Sequence, residues 1–122
     1  MSTSFGEEKT YTIGRTILKE SDLKIKFTYN DEVFTLHYPN PGEKALIEVD
    51  VARRLSGVPR DSVDPEQASL ITATCYVSDL YIKDECPEWF KPWECYDEML
   101  IAKLYREYLS FRDKLQNRFS KP

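Results

Sequence analysis

The sequence predicts an α+β domain dominated by helix, with an N-terminal β-hairpin packed on about three α-helices. Three observations point there. Apolar and polar residues alternate with a period of two through 23–29 and again through 33–38, which is the pattern of half-buried strands. Cap-proline pairs at Asn40-Pro41 and Asp64-Pro65 open two further segments as helices. Near the end of the chain, Ile101, Leu104, Tyr108, Phe111 and Leu115 recur at spacings of three and four; Phe119 prolongs the row, and Leu100 and Tyr105 widen it.

At 122 residues the chain can bury one hydrophobic core but not two, so residues 1–9 read as a flexible lead and 10–122 as a single globular domain. Hydrophobic residues make up 41% and charged residues 31%, the balance of an ordinary water-soluble fold. A net charge of -4 with no basic cluster argues against binding to nucleic acid, whose phosphates demand grouped Lys and Arg. The opening residues lack the apolar core of a signal peptide and no run is long enough to span a bilayer, so no membrane partner is expected and the expected location is the cytoplasm. Three cysteines, Cys75, Cys86 and Cys95, cannot all pair, and reduced thiols fit that location.

Taken in order, Tyr11 and Ile13 alternate with Thr10 and Thr12 before Gly14, giving a short strand or extended arm that could join the main hairpin as a third strand. Leu23, Ile25, Phe27 and Tyr29 form one face of the next strand. Asn30, Asp31 and Glu32 make the turn, and Phe34, Leu36 and Tyr38 return on the apolar face with Val33, Thr35 and His37 opposite. An isolated hairpin is marginal in water, so this one needs helices to cover it.

Asn40 as cap, Pro41 at the first position and Glu43 three residues on predict a capping box, with Ile47, Val51, Ala52 and Leu55 on one face and Ser56-Gly57 as the stop. Residues 45–51 also alternate, but length and both end signals favour helix. After a connector over 58–63, Asp64 and Gln67 repeat the start signal; Leu70, Thr74, Val77 and Tyr81 then make a helical row, widened by Ala73 and Leu80. Thr72, Thr74 and Val77 are poor helix formers, which leaves a strand through residues 71–77 as the competing reading. The final helix spans 97–119, with Asp97 and Glu98 at its positive end and Lys114 and Arg118 at its negative end.

Candidate chemistry is sparse. Cys86 and Cys95 are too far apart in sequence for a zinc pair and lack further ligands, so no metal site is expected. His37 is the sole histidine, and no thiol lies in a recognisable nucleophile setting. No carboxylate sits in an apolar run that would shift its pKa, Gly6, Gly14, Gly42 and Gly57 form no phosphate loop, and the Arg53-Arg54 pair reads as solvated surface. No cofactor and no enzymatic activity are expected.

The segment between the second and third helices is different. Trp89, Phe90, Trp93 and Tyr96 stand among Asp84, Glu85, Glu88, Glu94, Asp97 and Glu98, and Pro87 and Pro92 forbid a continuous helix. Such rings act either as a clamp under the last helix or as interface anchors. The expected contact surface is Trp89, Phe90 and Trp93 of this elbow, joined by Tyr105 or Leu109 of the adjoining helix.

The opening YTIGRTIL, the hairpin followed by YPNPGEKALIEVDVARRLSG, the segment DPEQASLITATCYVSDLYI, and CPEWF leading into DEMLIAKLYREYLSFRDKL together resemble the small tail assembly chaperones of long-tailed bacteriophages. The resemblance covers most of the chain as an order of segments; the hairpin departs from the strictly helical members. It implies a compact, largely helical cytoplasmic protein that binds the tape measure protein, shields its long apolar helices and is released as the tail tube polymerises. Two other non-catalytic roles fit the residues: a minor virion subunit for tail completion or connection, forming a homo-oligomeric ring through the same surfaces, and a small acidic inhibitor of a host enzyme.

Overall fold

Two short hairpins precede three long helices in a computed structural model that describes residues 10–13, 16–55 and 64–120, with side chains placed over 19–55 and 64–119. The flexible lead expected over 1–9, Gly14, the Ser56-Gly57 stop and the connector over 58–63 lie outside the described residues.

The strand expected near Tyr11 exists as β1 (Thr10–Ile13), but it does not join the main hairpin. It pairs with a strand that the sequence reading missed, β2 (Thr16–Lys19), in a separate two-stranded antiparallel sheet running from Thr10 opposite Lys19 to Ile13 opposite Thr16. The short interval between two apolar runs in the sequence was the available signal.

The main hairpin joins β3 (Lys24–Tyr29) to β4 (Glu32–His37) in antiparallel register, with Phe27 opposite Phe34 and Ile25 opposite Leu36. Its turn needs two residues with positive φ; Asn30 at 50° and Asp31 at 65° provide them, being among the residues that tolerate this region best. Leu23 lies just before β3, at the end of a 3-10 turn over Glu20–Leu23, and accepts a backbone hydrogen bond from Tyr38 at 2.8 Å that prolongs the ladder. Phe34 and Leu36 are buried as their alternation predicts. Thr35, assigned to the opposite face, is buried too, because the segment after the second helix lies along it.

Helix α1 (Pro41–Arg54) opens with the expected capping box: Glu43 N–H donates to Asn40 Oδ1 at 2.8 Å and Asn40 N–H to Glu43 Oε1 at 2.9 Å. Ile47, Val51 and Leu55 are buried, whereas Ala52 faces outward, contrary to expectation, together with Leu46 and Val49. Helix α2 (Pro65–Leu80) settles the strand-or-helix question in favour of helix. Its cap, Asp64, accepts from Glu66 N–H at 3.4 Å, and the reciprocal box with Gln67 is not formed. Unlike its neighbours, α2 is buried around most of its circumference, from Ala68 through Thr72–Val77 to Leu80. Its two buried threonines satisfy their hydroxyls within the helix, Thr72 on Ala68 O at 2.9 Å and Thr74 on Leu70 O at 2.7 Å.

Helix α3 (Glu98–Ser120) buries Leu100, Ile101, Leu104, Tyr108 and Leu115, with Phe111 and Phe119 half-buried, which is the stripe the sequence displays. It packs on α2 and along β3, and α2 also packs on α1. The core therefore lies where the inner face of the hairpin, α1 and α3 converge on α2. A smaller cluster of Leu23 and Leu115, flanked by Tyr38, Phe111 and Phe119, closes the far end. The molecule is thus an α+β fold dominated by helix, and no described helix is long and apolar enough to cross a membrane.

Candidate protein-binding surface

The elbow between α2 and α3 is ordered by its prolines. Pro87 O accepts from Phe90 N–H at 3.0 Å, and Pro92 starts a 3-10 turn over Pro92–Glu94. A second short turn, Lys83–Glu85, is tied to β3 by the Lys24–Glu85 ion pair at 2.6 Å. Backbone bonds fasten the whole segment to the sheet: Tyr81 bridges to Leu36, and Ile82 N–H donates to Thr35 O at 2.9 Å.

The rings of the elbow divide between inside and outside. Phe90, expected on the contact surface, is only 2% exposed; it stands edge-on to Phe34 and to Tyr81. Having no polar atom, it is the ring that loses least on burial. Trp89 is 55% exposed, its indole N–H donating to Glu32 Oε1 at 3.2 Å at the tip of the hairpin. Trp93 is 42% exposed and lies beneath Arg54 of α1, whose guanidinium carbon is 3.7 Å from the ring centroid. Tyr96 is fully exposed.

Tyr105 and Leu109 belong to a different depression. An open groove runs between α2 and α3, with Ala68 and Ala73 on one side and Met99, Ala102, Tyr105 and Leu109 on the other. Small side chains on both helices form this groove, and Met99, 58% exposed, borders it. Tyr105 is held from behind by Tyr76 and Tyr108, with centroid distances of 5.3 and 5.9 Å. The elbow depression around Trp89 and Tyr96 shares no lining residue with the groove, although the two adjoin at Asp97 and Glu98. The five expected contact residues are therefore not one patch: one is core, two belong to the elbow, and two line the groove. Sequence reasoning missed Met99, Ala102 and the alanines of α2; the only signal was a concentration of small residues, at 68, 69, 72 and 73.

Two of the three thiols are held towards their protonated form. Burial, with Asp50 alongside, pushes the Cys75 thiol up to about 12. Cys86 is also raised by burial, against the opposing effect of its contacts with the Thr35 and Ile82 backbone. The thiolate is the reactive form, so both shifts disfavour nucleophilic chemistry near neutral pH. Burial, then a hydrogen bond to Glu48, raises the Tyr76 phenol. Among the described residues, no three His, Cys, Asp or Glu side chains come together as a metal-binding group.

Compared with known protein families, curated proteins and solved structures, the chain finds no match.

Proposed function

We propose that the protein is a non-catalytic assembly chaperone that receives an apolar helix of its client in the groove between α2 and α3, the client being the tape measure protein of a long-tailed phage. The groove carries this reading. Alanines at 68, 73 and 102 leave room for a third helix to approach at roughly 8–10 Å, the usual packing distance. Met99 supplies a flexible, polarisable wall able to adapt to varied apolar side chains, as promiscuous helix-binding surfaces do. Tyr105, backed by two further tyrosines, is a rigid anchor. The resemblance of the segment order to tail assembly chaperones supports the identity of the client and a site of action in the host cytoplasm.

Co-expression with a tape measure protein tests the reading. Ala102→Phe fills the groove from an exposed helix position, and Leu109→Glu places a charge in it. Each should weaken the complex by roughly thirtyfold, the loss of about 2 kcal/mol typical of an interface anchor. A complex that forms equally well with both variants would remove the groove from the interface.

One observation favours a second reading. Leu46, 71% exposed, and Val49 share the outer face of α1, an apolar pair that a permanent virion subunit would bury against its neighbours in a ring. Mass spectrometry of purified virions separates the two, because a chaperone departs before completion and a ring subunit stays.

A further inference from the structure

The elbow carries a recognition chemistry that the groove does not use. Residues 83–98 contain six carboxylates against two lysines, an excess equal to the net charge of -4 of the entire chain. In the middle of this segment, Trp89 and Tyr96 line an open depression with Glu88 and Glu94, and Lys91 is the one cation against the three carboxylates of its wall. Asp97 also lines it but is already committed, one oxygen accepting from the Tyr29 hydroxyl at 2.8 Å and the other from Leu100 N–H at 3.1 Å. Glu88 and Glu94 are exposed and have no ion-pair partner among the described residues. Trp89 is held in place by Glu32 and by its edge contacts with Phe34 and Phe90, so its ring is presented without an ordering cost on binding.

Within the same molecule, Arg54 shows what such a surface attracts. Its guanidinium lies over Trp93 while pairing with Asp50 at 3.4 Å, a cation held jointly by an indole face and a carboxylate. We infer that the elbow is a second docking surface, whose occupant is an arginine-bearing segment of a protein partner, stacked against Trp89 and Tyr96 together and paired with Glu88 and Glu94. Arginine suits the site better than lysine because its planar, weakly hydrated group can stack and pair at once. The excess of carboxylates repels nucleic acid, anionic lipid and a second, equally acidic copy of this chain. The inference goes beyond the groove and does not depend on it, although a client lying in the groove could reach the elbow past Glu98.

The test uses the full chain carrying Trp93→Phe, which leaves Trp89 as its only tryptophan. It is titrated with a short helical peptide bearing arginines along one face, and with the same peptide bearing glutamates instead. Trp89 emission should saturate with the arginine peptide, the affinity should fall as salt rises, and the glutamate peptide should give no response. Adding Tyr96→Ala or Glu94→Lys, both at exposed side chains, should weaken binding about tenfold with an unchanged melting temperature. No saturation, equal binding of both peptides, or an affinity indifferent to Tyr96→Ala and Glu94→Lys would overturn the inference. Ala102→Phe should leave arginine-peptide binding intact while it weakens capture of the client helix roughly thirtyfold, so failure at the elbow and failure at the groove are read separately.

Discussion

Phe34 of β4 meets Phe90 of the elbow edge to face, with ring centroids 5.0 Å apart and both side chains buried. This pair fastens an irregular, proline-rich segment to the sheet and thereby fixes the position of the exposed rings on either side. Phe90→Ala should cost about 3–5 kcal/mol, as removal of buried aromatics does. Urea denaturation measures it, and a loss below about 1 kcal/mol would mean that the elbow is held by its backbone bonds alone.

Leu104 and Phe111 lie on the same stripe of α3 but differ in burial. Leu104 is fully enclosed, whereas Phe111 is half-buried against Tyr38, with centroids 5.5 Å apart. Leu104→Ala should cost about 2–5 kcal/mol, and Phe111→Ala should fall below the range for a fully buried aromatic because water already reaches part of its ring. Equilibrium unfolding of both variants checks the ranking.

Stability should decline in alkali through Cys75. Its folded pKa is raised to about 12, while an unfolded thiol titrates near ~8.5, so between these values the folded state keeps a proton that the unfolded state has released. The contribution is fully present below the unfolded value and is lost as pH rises towards the folded one. Cys75→Ala should give a shallower fall in unfolding free energy across this window. A residual slope should persist from Tyr108, likewise raised to about 12 by burial and its proximity to Tyr38.

The capping box on α1 gives a local test. Asn40→Ala removes the acceptor of Glu43 N–H and should cost about 1 kcal/mol, with Asn40→Asp nearly neutral. Thermal melts of the two variants decide this.

The helix starts were legible in the sequence because caps and prolines act through bonds spanning a few residues, as Asn40 and Glu43 do. The α3 stripe was legible because one of its faces remains wet. Helix α2 was harder to read: it is enclosed on most sides, so Thr72, Thr74 and Cys75 are buried without forming a single row, and β-branched residues there mimic a strand. The prolines announced the bend of the elbow, but which rings turn inward depends on Phe34 and Tyr81, far away in sequence. Beyond a run of small residues on α2, the groove was not legible, since it is defined by the relative placement of two helices. Among its residues Tyr105 stood out as part of the α3 stripe, and Leu109 as a large apolar residue next to it.

The attachment of the elbow to β4 has one more effect. A two-stranded hairpin exposes unpaired backbone along both edges, where strands of other molecules can add and build fibrils. On β4, Tyr81 bridges to Leu36, Ile82 N–H donates to Thr35 O, and Thr35 N–H reaches Cys86 Sγ at 3.4 Å, so the middle of that edge is closed. β3 carries the exposed Lys26, and an edge lysine resists strand addition by repulsion and by the cost of stripping its water, while Lys24 is paired with Glu85. The hairpin is thus guarded against fibril growth, on one edge by the elbow and on the other by charge.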